Sequence, residues 1–161
     1  MSGEVTRSRP YMRDAVVEDC YLLANNMRKE DVEEIRHSSG STPLDALLIG
    51  FRMSSRCWTI VWGDEVVAMF GVTPVPKKPR CGAPWLLASD NLKDIRKPFL
   101  RHARRALEMV HSLFPVLVNC VWVRNTVHIQ WLKWMGFQFL ESIQMGEDKE
   151  AFIIFYRKED V

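Results

Sequence analysis

Apolar positions recur along this chain with two periods, and the places where one gives way to the other mark its elements. Residues near Arg7 to Ala15 read as a first strand. Val17, Cys20, Leu23 and Ala24 then fall at helical spacing and predict a helix over Val16 to Asn26. A second helix is expected from Lys29 to His37, stopped by Ser38-Ser39-Gly40. Thr42-Pro43-Leu44-Asp45 has the form of a helix start, with Thr42 as N-cap, Pro43 in the first turn and Asp45 placed to reach back. That helix carries Leu44, Leu47, Leu48 and Phe51 to about Met53.

Cys57 to Trp62 and Val66 to Thr73 are rich in β-branched and aromatic residues and flank Gly63-Asp64, which predicts an antiparallel hairpin. Pro74 to Arg80 holds three prolines and three basic residues, so it reads as an exposed loop. Trp85 to Ala88 is a short strand. Ser89 to Asp94 leads into a helix through Ile95, Phe99, Ala103, Ala106, Val110 and Leu113, with Pro98 in its first turn. Val116 to Val123 is a nearly continuous apolar run, as in a strand covered on both faces. Asn125 is the expected cap of a helix from Thr126 to Met135, Gly136 its left-handed stop, and two last strands meet at Met145-Gly146-Glu147. The order β-α-α-α-β-β-β-α-β-α-β-β predicts an α/β chain of mixed α+β type. It implies a central mixed sheet of about seven strands flanked by four to five helices.

Composition narrows this further. A chain of 161 residues without repeats or a long linker is expected to form one domain, residues 1–161. Hydrophobic residues at 47% and charged residues at 26% exclude a disordered or fibrous chain. No run approaches the roughly 18 apolar residues of a membrane span. The polar start, Met1 to Pro10, has no apolar core of a secretory signal, so the protein is expected to stay where it is translated. Cys20, Cys57, Cys81 and Cys120 form neither a C-x-x-C pair nor a zinc spacing with the histidines, so no metal site is expected and the thiols read as idle. Cys120 and His128 are close enough in sequence to be kept in view as a nucleophile and base.

One segment, Val121-Trp122-Val123-Arg124-Asn125-Thr126-Val127-His128-Ile129-Gln130-Trp131-Leu132-Lys133-Trp134-Met135-Gly136-Phe137, combines a strand, an Asn, a short helix and Gly-Phe. With the element order, it resembles the GCN5-related N-acetyltransferase (GNAT) fold. A narrower resemblance rests on Val67 to Val72, Pro84 to Asp90, Phe99 to His102 and Trp122 to Gly136. Those motifs are similar to a phage and prophage family related to an internal virion protein of short-tailed phages.

The GNAT resemblance implies acetyl-CoA, held at Leu87, Ala88, Ser89 and Asn125 if it binds. Two family features are missing. The stretch Ser89 to Pro98 has no glycine where a Gly-rich turn would bring backbone amides to a pyrophosphate, and Pro98 removes one donor. The helix after Asn125 carries His128 and Leu132 where the family has a small residue and a Tyr able to protonate the leaving thiolate. His128 is a weak candidate for a replacement acid or base, its plainer reading being a locally bonded helix histidine.

Lys97, Arg101 and either Arg104 or Arg105 recur at helical spacing and share a helix face. They are expected either to pair with the acidic stretch Glu30 to Glu34 or to meet an anionic partner, a protein surface or a nucleic-acid backbone. Lys77 and Lys78 on the loop, and Trp131 and Trp134 three apart on the last helix, are further candidate partner contacts, core packing being the other reading of the tryptophans. Taken together these readings imply a phage-encoded GNAT-fold protein with a degenerate acetyl-CoA site and no cofactor. It would bind a phage or host protein in the cytoplasm of the infected host, or be packaged in the virion. The alternative is an active acetyl-CoA-dependent N-acetyltransferase with a rearranged site.

Overall fold

The computed structural model describes residues 8–159. The elements follow in the order β1 (Tyr11–Asp14), α1 (Val17–Ala24), α2 (Lys29–Ser38), α3 (Pro43–Met53), β2 (Arg56–Trp62), β3 (Glu65–Val75) and β4 (Lys78–Ala88). After a 3-10 segment (Asp90–Ile95) come α4 (Arg96–His111), β5 (Val116–Trp122), α5 (Thr126–Trp134), β6 (Gln138–Met145) and β7 (Glu150–Lys158). The expected order is the observed one, although Arg7, the expected start of the first strand, lies outside the described residues.

The seven strands form one sheet in the order β1-β2-β3-β4-β5-β7-β6. Every neighbouring pair is antiparallel except β4 and β5, which run parallel. Those two pair only at Cys81↔Val116 and Gly82↔Leu117 and then diverge toward their carboxyl ends. One side chain spans the gap, Asn119 donating to the Pro84 carbonyl at 2.8 Å.

Alternation along the strands sends neighbouring residues to opposite faces. Met69 and Leu87 meet α1 and α3 through Leu23 and Leu47, whereas Trp58, Phe70 and Val72 meet α4 and α5 through Leu107, Val110 and Leu132. The Pro74 to Arg80 stretch departs from the expected loop. β3 continues to Val75 and β4 begins at Lys78, so only a tight turn with Lys77 at φ 63° separates them. Prolines are tolerated there because the register slips between Pro74 and Val75, and because Pro79 and Pro84 lie outside the two positions that pair with β5. The tip is exposed, as expected.

Helix starts also divide into two kinds. Thr42 caps α3 by accepting from the Asp45 amide at 3.2 Å. Asn125 occupies the cap position of α5 without a side-chain cap bond. Its side chain is used elsewhere.

Candidate functional site

Where β4 and β5 part, α2 closes over their carboxyl ends. Arg28 to Glu34 reach this position because Arg28, Asp31, Glu34 and Ile35 fall on one helical face, and Ile35 is buried. The Arg28 amide donates to the Ala88 carbonyl at 2.8 Å, and the Ala88 amide donates to Asp31 Oδ2 at 2.9 Å. The end of β4 is therefore bonded to α2 through both of its backbone groups. On the β5 side the Trp122 amide donates to Glu34 Oε1 at 2.7 Å.

Asn125 ties the two sides together. Its Oδ1 accepts from the Arg28 guanidinium at 2.6 Å, and its Nδ2 donates to Glu34 Oε2 at 3.1 Å and to Asp31 Oδ1 at 3.3 Å. Arg28 also pairs with Asp31 at 2.9 Å, and its guanidinium lies 5.5 Å from the centre of the Trp131 ring. Arg28, Asp31 and Asn125 are all buried, so their charges and dipoles act on one another with little screening by water.

Two titratable groups here are moved far from their ordinary values. Burial pushes the Glu34 carboxyl up to about 7, with the Asp31 charge adding to it, against the Trp122 and Asn125 amides and Arg28, which favour the charged form. Burial pushes the His128 imidazole down to about 4, helped by Arg28 and opposed by Asp31. His128 as a residue keeps some exposed surface, but its ring is enclosed and stands 6.2 Å from the Trp131 ring. At neutral pH His128 is thus uncharged, and Glu34 exchanges its proton readily.

Asp31, Glu34 and His128 bring one ligand atom each within 4.8 Å of one another, a donor set with cation-binding chemistry. The carboxylate oxygens already accept N–H groups, and Arg28 supplies the positive charge. The protein closes this network with its own donors.

His128 also borders a part-open cavity of about 470 Å³ between α4 and the sheet. Phe70, Leu86, Phe99, Ala103 and Leu132 line it, and Tyr11, Met12, His102 and Arg105 lie at exposed positions around it. The acidic–basic network and the apolar cavity thus share one side chain.

The expected site residues separate accordingly. Asn125 and Ala88 belong to the network, Ser89 instead caps the 3-10 segment by accepting from the Asn91 amide at 3.3 Å, and Leu87 packs toward α1 and α3. Trp131 is buried against Phe99 and Arg28, which removes it as a partner contact, whereas Trp134 is 43% exposed with Arg104 5.1 Å from its ring centre. The basic helix does not pair with Glu30 to Glu34. Asp31 and Glu33 take Arg28 and Arg36 instead, and among the described residues Lys97, Arg101, Arg104 and Arg105 have no carboxylate within 4.0 Å. Lys77 and Lys78 stand exposed at the hairpin tip. Cys120 is no nucleophile at neutral pH, because burial raises its thiol further above the usual value.

Arg28, Asp31 and Glu34 are the residues sequence reasoning missed. The signal was their placement on the face of Ile35, where a charged side chain must turn inward.

No protein-family model matches the chain, and no curated protein matches it in sequence. Solved structures do. A GNAT-family acetyltransferase from Streptococcus pneumoniae aligns at 12% identity over 94% of this chain and 100% of its own, with a TM-score of 0.66. The fold is that of the GNAT acetyltransferases. A spermidine N-acetyltransferase from Vibrio cholerae in complex with CoA and spermine shares the GNAT fold at a TM-score of 0.68, 12% identity and coverage of 94% and 96%. AAC(6')-Ib in complex with ribostamycin and coenzyme A shares it at 0.69, 10% identity and 94% of both chains. Among the described residues no helix is long and apolar enough to cross a membrane.

Proposed function

We propose that this protein is an acyl-CoA-dependent N-acyltransferase in which Glu34 accepts the proton of the acceptor amine. The observation that carries this reading is a carboxyl poised at about 7 where β4 and β5 diverge, close to the pH at which a base both stays unprotonated and retains proton affinity. Structures of the same fold whose names include CoA with spermine or with ribostamycin lend support, since both second molecules bear amines.

The residues present fit a CoA thioester at its charged end. Lys93, Arg96 and Lys97, exposed around the start of α4, supply cations for its phosphates. Phosphate contact would rest on these side chains, because the amides of Asn91 and Leu92 are already bonded to Ser89. When bound, the thioester supplies an activated acyl carbonyl. Arg28 and Asn125 hold the Glu34 carboxyl in place, and the neutral His128 beside it adds no competing positive charge.

The test is release of free thiol from acetyl-CoA by the purified protein, with polyamines, aminoglycosides and lysine peptides offered as acceptors. Turnover at least tenfold above the uncatalysed rate with one of them supports the reading. Failure to bind any acyl-CoA thioester, short or long, at millimolar concentration overturns it.

One observation favours a second reading. Both backbone groups of Ala88 are taken by α2, so neither is left for a ligand. In that case the fold serves as a binding module, the virion-associated phage component of the narrower resemblance. Lys97, Arg101, Arg104 and Arg105 with Trp134, joined by Lys77 and Lys78, would then face an anionic partner. Capture of such a partner by a protein that binds no CoA would decide for it.

A further inference from the structure

We propose that the cavity beneath α4 receives the aliphatic chain of a medium-chain acyl thioester, so that the donor is an acyl-CoA of roughly eight carbons or more and not acetyl-CoA. This inference rests on the acyltransferase reading and adds the identity of the acyl group.

Size is the first argument. Protein interiors contain few voids larger than a water molecule, and an apolar cavity of about 150 Å³ already admits a six-carbon ring. At about 470 Å³ the space under α4 exceeds that about threefold, far more than the two carbons of an acetyl group need. The walls give the second argument. Ala103 and Ala106 are the small residues that α4 turns to the cavity, and they leave room opposite Phe70 and Leu86. Carbon surfaces of this kind select for methylene groups.

Position supplies the third. His128 lines the cavity and also lies within 4.8 Å of a Glu34 oxygen, so a chain occupying the cavity has its head beside the proposed base. The same aliphatic chain could arrive as a free fatty acid, its carboxylate meeting Arg105. The thioester is favoured because Lys93, Arg96 and Lys97, exposed around the start of α4, suit the phosphates of CoA, which a free fatty acid lacks.

Calorimetric titration of the full chain with CoA, acetyl-CoA, octanoyl-CoA and sodium octanoate tests this directly. Each buried methylene is worth roughly fourfold in affinity, so octanoyl-CoA is expected to bind at least about 100-fold more tightly than acetyl-CoA even with imperfect burial. Octanoate should bind far more weakly than octanoyl-CoA. Ala106→Trp, which fills the cavity, should bring octanoyl-CoA down to the level of acetyl-CoA while acetyl-CoA binding stays unchanged. Ala106→Phe serves if the Trp variant fails to fold. Binding of acetyl-CoA with octanoyl-CoA no better than about threefold tighter overturns the chain proposal and leaves the acyltransferase reading standing. Absence of binding by either thioester overturns both. Octanoate as tight as octanoyl-CoA overturns the assignment of the chain to a thioester.

Discussion

The Arg28 guanidinium donates to Asn125 Oδ1 at 2.6 Å across a sequence separation of 97 residues. This contact fastens the start of α2 to the turn after β5, and Asp31 completes it from the same helix. Asn125 therefore acts as a tertiary tie, although its position is that of a helix cap.

The first prediction follows from that difference. Arg28→Met leaves Asp31 buried without a cation and should cost about 3 kcal/mol or more in urea denaturation. Asn125→Asp removes two N–H donors and adds a third carboxylate beside Asp31 and Glu34, so it should be markedly destabilised as well. Were Asn125 only a cap, Asp would be nearly neutral and Ala would cost about 1 kcal/mol. An Asp variant as stable as the wild type would contradict the tie.

A second prediction concerns pH. Glu34 is raised from 4.5 to about 7, so folding prefers its protonated form. Its contribution to stability is present in full below about 4.5 and is lost as pH rises through about 7. His128, lowered from 6.5 to about 4, runs the other way, its contribution being present above 6.5 and lost as pH falls through 4. Both the wild type and Glu34→Gln carry His128, so it largely cancels between them. Melting curves at about pH 5 and about pH 8 should show the Gln variant gaining on the wild type at the higher pH. An offset that does not change with pH would mean that Glu34 is not held in its neutral form.

Gly82 provides a third. A Cβ there would stand 2.5 Å from the Phe114 ring and 2.6 Å from Val72, at one of the two points where β4 and β5 pair. Gly82→Ala must displace core side chains that have little freedom, which should cost about 1–3 kcal/mol. Chemical denaturation measures this, and an unchanged midpoint would show that Phe114 can move aside.

Much of the fold was legible because local chemistry decided it. Thr42-Pro43 began a helix, Gly63 turned a hairpin, and Gly136 at φ 87° ended α5. The Pro74 to Arg80 stretch misled because proline content argues against paired strands, yet the pairing slips at Pro74, and only Cys81 and Gly82 of β4 meet β5. The site was mostly hidden. Asp31 and Glu34 sit in a run of acidic residues that reads as a solvated surface, and only tertiary contacts with Ala88, Trp122 and Asn125 separate the inward pair from exposed Glu30. Trp131 and Trp134 look equivalent by spacing, but the rotation of α5 buries the first and exposes the second.

Turnover of a CoA thioester against an aromatic amine, which stays neutral above about pH 6, tests the role of Glu34 most directly. For the wild type kcat/KM should rise with pH and level off above about 7, following the Glu34 carboxyl. Glu34→Gln should bind the thioester as before and lose about 100-fold or more in turnover, with the pH dependence gone. A Glu34→Gln enzyme that keeps both its rate and its pH profile would contradict the assignment of Glu34 as the base.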